Sequence, residues 1–141
     1  MREVFDIIRQ RWVAATPEEI ARQTWIQRMV GELKFPRALF AVEKELKTLP
    51  HLAQEKPSLP NRRIDILCFM KIDETVKPLL LIECKEAELT QEALDQVAGY
   101  NYYVGAPYVA IVNQSAIRFR CDKREIFTLP SYLELIEGVY G

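Results

Sequence analysis

Histidine is almost missing from this chain: His51 is the only one in 141 residues. That removes most His-based zinc sites and most Ser-His nucleophilic machinery. The three cysteines, Cys68, Cys84 and Cys121, are odd in number and widely spaced, so they do not read as a disulfide framework. No uncharged apolar stretch approaches the ~20 residues needed to span a bilayer. The opening Met1-Arg2-Glu3-Val4-Phe5-Asp6 puts acids where a secretory signal needs an apolar core. The expectation is a soluble cytoplasmic protein with reduced thiols and no membrane contact. An excess of positive charge is lacking too. At a net charge of -1 the chain has no overall attraction for a polyanion, so a grip on nucleic acid needs a local patch or a partner. Chemistry, where there is any, must run on carboxylates and amines.

What the sequence does contain is enough apolar material for one sizeable core. The hydrophobic fraction is 49% and the charged fraction 28%, which fits a single folded α/β domain over residues 1–141. Val4, Ile7, Ile8 and Trp12 have helical spacing, so residues 1–14 read as a helix or a loosely docked arm. Thr16-Pro17-Glu18-Glu19 combines a capping hydroxyl, a proline at the first helical position and an acid in the first turn, predicting a helix from Pro17 to about Glu32. Leu39 to Leu46 alternates as a strand, and Pro50, Pro57 and Pro60 mark a loop. Arg63–Lys71 and Pro78–Cys84 read as strands joined through a hairpin connection at Ile72–Lys77, the second of them central. Thr90 caps a helix running to about Tyr103, stopped at Gly105-Ala106-Pro107. With a strand at Tyr108–Val112, this makes a parallel βαβ unit. Ile117–Cys121 and Ile126-Phe127 are short, more exposed strands, and Ser131-Tyr132-Leu133-Glu134 is a capping box opening a final helix.

The chemistry gathers at two strand ends. Leu79-Leu80-Leu81-Ile82 runs into Glu83-Cys84-Lys85, and Asp65 stands on the preceding strand, eighteen positions earlier. A hairpin of that length brings the two carboxylates side by side. Glu83 and Lys85 project to one face by alternation. That face gains a metal ligand and a water-orienting amine together, and the backbone carbonyl of Cys84 offers a further oxygen. Carboxylate oxygens suit Mg²⁺. The plainer alternative is a solvated strand end, with Asp65 in a salt bridge to Arg62 or Arg63. Candidate phosphate contacts are Arg62, Arg63, Lys71, Arg118, Arg120, Lys123 and Arg124. Tyr100, Tyr102, Tyr103 and Tyr108 either stack on bases or pack helix against sheet.

Ile64-Asp65-Ile66, Leu81 to Lys85, Leu89-Thr90-Gln91-Glu92 and Gln96-Val97-Ala98-Gly99-Tyr100 together resemble the PD-(D/E)XK nuclease superfamily. More narrowly they are similar to the N-terminal nuclease domain of the restriction (R) subunit of type I restriction enzymes, toward which the Gln-x-x-x-Tyr pattern points. Phe35 to Leu39 and Val42 to Glu45 extend the likeness, which spans roughly residues 17 to 120. The resemblance implies a restriction-endonuclease-like mixed central sheet flanked by helices. It implies a Mg²⁺-dependent (or Mn²⁺-dependent) DNA endonuclease with Asp65 and Glu83 as metal ligands and Lys85 orienting the attacking water. Gln96 and Tyr100 would support the site and approach the DNA backbone. Glu43, in preference to Glu45, would be the additional upstream acid. DNA is the implied partner. The R subunit's helicase motor follows its nuclease, whereas this sequence has no Walker A pattern, so the expectation is either a free-standing nuclease or a module recruited by a motor or specificity protein. Cutting both strands needs two sites, for which a homodimer is one solution. The alternative is a non-catalytic binding module that keeps the nuclease fold.

Overall fold

The computed structural model describes residues 2–49, 51–52, 62–122 and 124–140. Its backbone is a six-stranded mixed sheet covered on both faces by helices, preceded by a small hairpin. The elements are β1 (Glu3–Asp6), β2 (Arg11–Ala14), α1 (Pro17–Gly31), β3 (Phe40–Glu45), β4 (Arg63–Ile72), β5 (Thr75–Cys84), α2 (Gln91–Val104), β6 (Tyr108–Val112), β7 (Ile117–Cys121), β8 (Arg124–Ile126) and α3 (Tyr132–Tyr140).

Sheet order is β3-β4-β5-β6-β7-β8, with β5 and β6 parallel and every other neighbour pair antiparallel. The parallel step is the one that α2 crosses, as the βαβ reading requires. All five residues of β6 are buried, because helices cover both of its faces. On one face Trp25, Ile26 and Met29 of α1 and Leu135 of α3 pack on Ile66, Ile82, Ala110 and Phe119. On the other, Leu94, Val97 and Val104 of α2 pack on Leu67, Leu81, Val109 and Ile111. Alternation along β5 thus sends Leu81 to one layer and Ile82 to the other. Each such fully buried side chain contributes about 1.5–3 kcal/mol.

The caps behave as their residue types dictate. Thr16 accepts from the Glu19 N–H, Thr90 from Ala93, and Ser131 and Glu134 bond each other's N–H groups reciprocally. Gly105 ends α2 at φ 77°, the left-handed conformation that glycine reaches most cheaply.

Three readings change. Residues 3–14 form no helix but an antiparallel hairpin, Glu3 opposite Ala14 and Asp6 opposite Arg11. Asp6 closes its turn by accepting from the N–H groups of Ile8 and Arg9. The connection expected over 72–77 is shorter, since Ile72 already pairs with Thr75 and the turn is Asp73-Glu74. Phe127 lies outside β8 and is exposed. Pro50, Pro57, Pro60 and Lys123 fall outside the described residues. Among the described residues no helix is long and apolar enough to cross a membrane.

Candidate functional site

β4 and β5 pair from the Asp73-Glu74 turn as far as Ile66 opposite Ile82, and there the ladder ends. β5 continues beside β6 to Cys84, while β4 continues beside β3 to Arg63. The two strands fork, and Asp65 and Glu83 stand just past the last rung. Asp65 Oδ2 reaches across the fork to accept the Cys84 N–H at 2.7 Å, a backbone donor that the missing rung would otherwise leave unpaired.

Glu83 is mostly buried, its side chain 14% exposed. Its Oε2 accepts a short hydrogen bond from the Tyr100 hydroxyl, and Arg62 approaches Oε1 at 3.5 Å while lying 3.9 Å over the Tyr100 ring. Burial, followed by the charge of Asp65, pushes the Glu83 carboxyl above its ordinary range; the Tyr100 bond pulls the other way. Burial and the Glu83 charge raise the Tyr100 hydroxyl in turn, so it stays a donor. Cys84 turns its thiol into the core, where burial raises its pKa well above the ordinary value. The thiol is no metal ligand, and the residue has only a backbone carbonyl to offer. Lys85 is half-buried, its N–H bonded to the Val112 carbonyl, and its side chain makes no salt bridge among the described residues.

Asp65 is neutralised by neither Arg62 nor Arg63. Its Oδ1 accepts from Arg22 of α1 at 2.7 Å, and the same Arg22 Nη2 bonds Glu43. Glu43 reaches Arg22 from an edge strand by adopting φ 55°, a left-handed backbone unusual for a residue with a side chain. Glu45 instead lies near Lys47 and Arg63. Arg22 is absent from the sequence reading, although a signal existed: Glu19, Arg22, Ile26 and Met29 share one helical stripe, and an ion pair in an apolar stripe is a buried pair. Glu18, on the first turn of α1, feels the charge of Asp65 as well; partial desolvation and that charge raise its carboxyl, and Arg22 and Lys85 lower it.

Other expected residues fall elsewhere. Gln96 is exposed one turn before Tyr100 and makes no side-chain hydrogen bond among the described residues. Lys71 lies six residues along β4 from Asp65, about 20 Å away at strand rise. Arg118 is held by Glu125, Gln91 and the Leu89 carbonyl, and Arg120 by Asp95. Arg63 lies 3.5 Å from Glu43. The four tyrosines do not form one cluster: Tyr108 is buried, Tyr102 and Tyr103 pair edge to face with Tyr102 85% exposed, and Tyr100 is the one whose hydroxyl bonds Glu83.

Among the described residues no three His, Cys, Asp or Glu side chains group to hold a metal. The donors present are two carboxylates, which is the number Mg²⁺ ordinarily takes from a protein while keeping its waters. Each carboxylate oxygen has two lone pairs, so Asp65 retains capacity beyond Arg22 and Cys84.

No curated protein and no solved structure matches the chain. The family model described as "Type I restriction enzyme R protein N terminus (HSDR_N)" matches residues 17–130, from the first residue of α1 to the residue before the Ser131 cap, and so takes in the whole six-stranded sheet. The chain belongs to the family of type I restriction enzyme R protein N-terminal regions.

Proposed function

We propose that this chain is a divalent-metal-dependent endonuclease, a PD-(D/E)XK site that hydrolyses DNA phosphodiester bonds with Mg²⁺ or Mn²⁺. The observation that carries the reading is the fork between β4 and β5. Two carboxylates stand together there, and the charge of Asp65 adds to burial in raising the Glu83 carboxyl, a repulsion that a cation between them would relieve. Asp65 and Glu83 would hold the ion, joined by the Cys84 carbonyl, and the ion would withdraw charge from the scissile phosphate.

The chain's own groups do the rest. Tyr100 fixes the Glu83 carboxylate by its hydroxyl, so the ligand keeps one rotamer as charge builds. Lys85 binds and orients the attacking water with an ammonium free of salt bridges among the described residues. Arg62 sits at the mouth, 42% exposed, able to leave its long contact with Glu83 for a phosphate oxygen. Family membership supports DNA and other restriction subunits as partners, and a homodimer is the simplest way to cut both strands.

One observation favours the rival reading of a non-catalytic module: both carboxylates already have arginine partners, Arg22 and Arg62. Supercoiled plasmid incubated with Mg²⁺ or Mn²⁺ separates the two. Cleavage is expected, and Lys85→Ala should reduce it by about a hundredfold or more while leaving the melting temperature in place, because Lys85 is half-exposed and without a salt bridge among the described residues. Wild-type protein that neither cleaves nor gains melting temperature from Mn²⁺ is the module instead.

A further inference from the structure

Behind the fork lies a line of alternating charges that the proposed chemistry does not use. Asp6, fully buried in the hairpin turn, bonds the Arg9 guanidinium. Arg9 Nη2 bonds Glu19 Oε1 at 2.8 Å, and Arg22 Nη1 bonds the same Glu19 oxygen at 2.6 Å. Arg22 Nη2 ends the line on Asp65 and Glu43. The Arg22 side chain is 3% exposed, and Gln23 steadies Glu19 from within the helix at 3.0 Å. A guanidinium so enclosed has no room to change rotamer, and its planar donors fix the direction of each acceptor. Hydrogen bonds and charges from Asp65 and Glu19 raise its pKa against the opposing effect of burial, so its charge is permanent.

The consequence falls on Asp65. Its carboxylate is bound at two points, Arg22 on Oδ1 and the Cys84 N–H on Oδ2. With two fixed donors the side chain keeps one orientation across the fork, and the lone pairs left over keep one direction. We propose that Arg22 is a positioning residue for Asp65, and that the hairpin acts on the site from a distance by holding Arg22 through Arg9 and Glu19. The functional part of this inference rests on the nuclease reading; the geometric part does not.

The test reads the geometry directly. Amide hydrogen exchange is measured on the full chain, wild type against Arg22→Ala, at Cys84 and at Ile82 on the last rung of the ladder. Exchange at Cys84 should rise about tenfold, the loss of one hydrogen bond, while Ile82 stays as it was. Free guanidinium at low millimolar concentration should restore Cys84 protection where equal sodium chloride does not. Plasmid cleavage assayed alongside should fall in kcat with KM for DNA little changed, and recover with guanidinium. Unchanged exchange at Cys84, or an equal rise at every amide, overturns the proposal, the second because it marks a structural role alone. Should Arg22→Ala not fold, Arg9→Ala carries the test, with a smaller rise at Cys84 expected and the same two overturning outcomes. A wild type that cleaves nothing sinks the nuclease reading, and the exchange data still decide whether Arg22 orients Asp65.

Discussion

At the scale of single residues, Asp65 and Glu83 are both acids at one fork, yet the structure gives them opposite stability roles. Asp65 compensates a buried guanidinium, so Asp65→Ala strands Arg22 with one acceptor fewer and leaves the Cys84 N–H without a partner. Breaking one side of a buried pair costs on the order of 3 kcal/mol, so urea denaturation of Asp65→Ala should show a loss of that size, with a smaller one for Asp65→Asn. A cleavage defect in Asp65→Ala therefore mixes chemistry with folding, and Lys85→Ala is the cleaner variant. Glu83 works the other way. Burial and the Asp65 charge raise its folded pKa above the unfolded value, so the folded state holds the proton more tightly. Stability is then greatest at and below the unfolded carboxylate pKa, falls as pH rises through the folded value, and is flat above it. Glu83→Gln keeps the shape and an acceptor for Tyr100 without the charge. It should melt above wild type at pH 7, lose that advantage in the acid range below the unfolded pKa, and show no cleavage. Melting curves from the acid carboxylate range to pH 8 check it. An advantage that persists in acid would mean that the gain is not electrostatic.

Elements were legible where short-range chemistry writes them. Thr16-Pro17, Thr90 and Ser131 announce three helix starts, and a hydroxyl caps each in the structure. The near-continuous apolar run over Pro78–Cys84 marks the central strand, and that strand pairs on both sides in the sheet. The hairpin was lost because each strand has four residues and the turn between them carries Ile7 and Ile8, whose spacing from Val4 and Trp12 imitates a helix. No Asn-Gly marks that turn, and Gln10 takes φ 57° unaided by glycine. Arg22 is different: its pairing with Glu19 three positions away is written in the helical stripe, but the partners that tie it to the fork, Glu43 and Asp65, are 21 and 43 positions away and only tertiary structure joins them. A prediction at this scale concerns the end of α2. A Cβ on Gly105 would meet nothing within 4 Å, so Gly105→Ala tests backbone conformation alone. The left-handed φ should cost about 1 kcal/mol in urea denaturation, with cleavage retained.

For the molecule as a whole, a net charge of -1 means that attraction for DNA must be local. The arginines on β7 are the wrong place to look, because Arg118 has three acceptors and Arg120 holds Asp95 at 2.7 Å. A phosphate would have to compete with those partners for either guanidinium. Arg62 differs: it rests on the Tyr100 ring at the mouth of the fork with only a 3.5 Å contact to Glu83, so a phosphate costs it almost nothing to approach. Each phosphate neutralised contributes about -0.9 to the slope of log affinity against log salt. Binding of duplex DNA, measured by fluorescence anisotropy in EDTA so that nothing is cut, should therefore have a shallow slope of about -2 to -3, the size of a few local contacts. Arg62→Ala should make it shallower by about one contact and Arg120→Ala should leave it alone. If instead Arg120→Ala removes the contact and Arg62→Ala does not, the strand runs over β7 and away from the fork, and the acids there have no phosphate to act on.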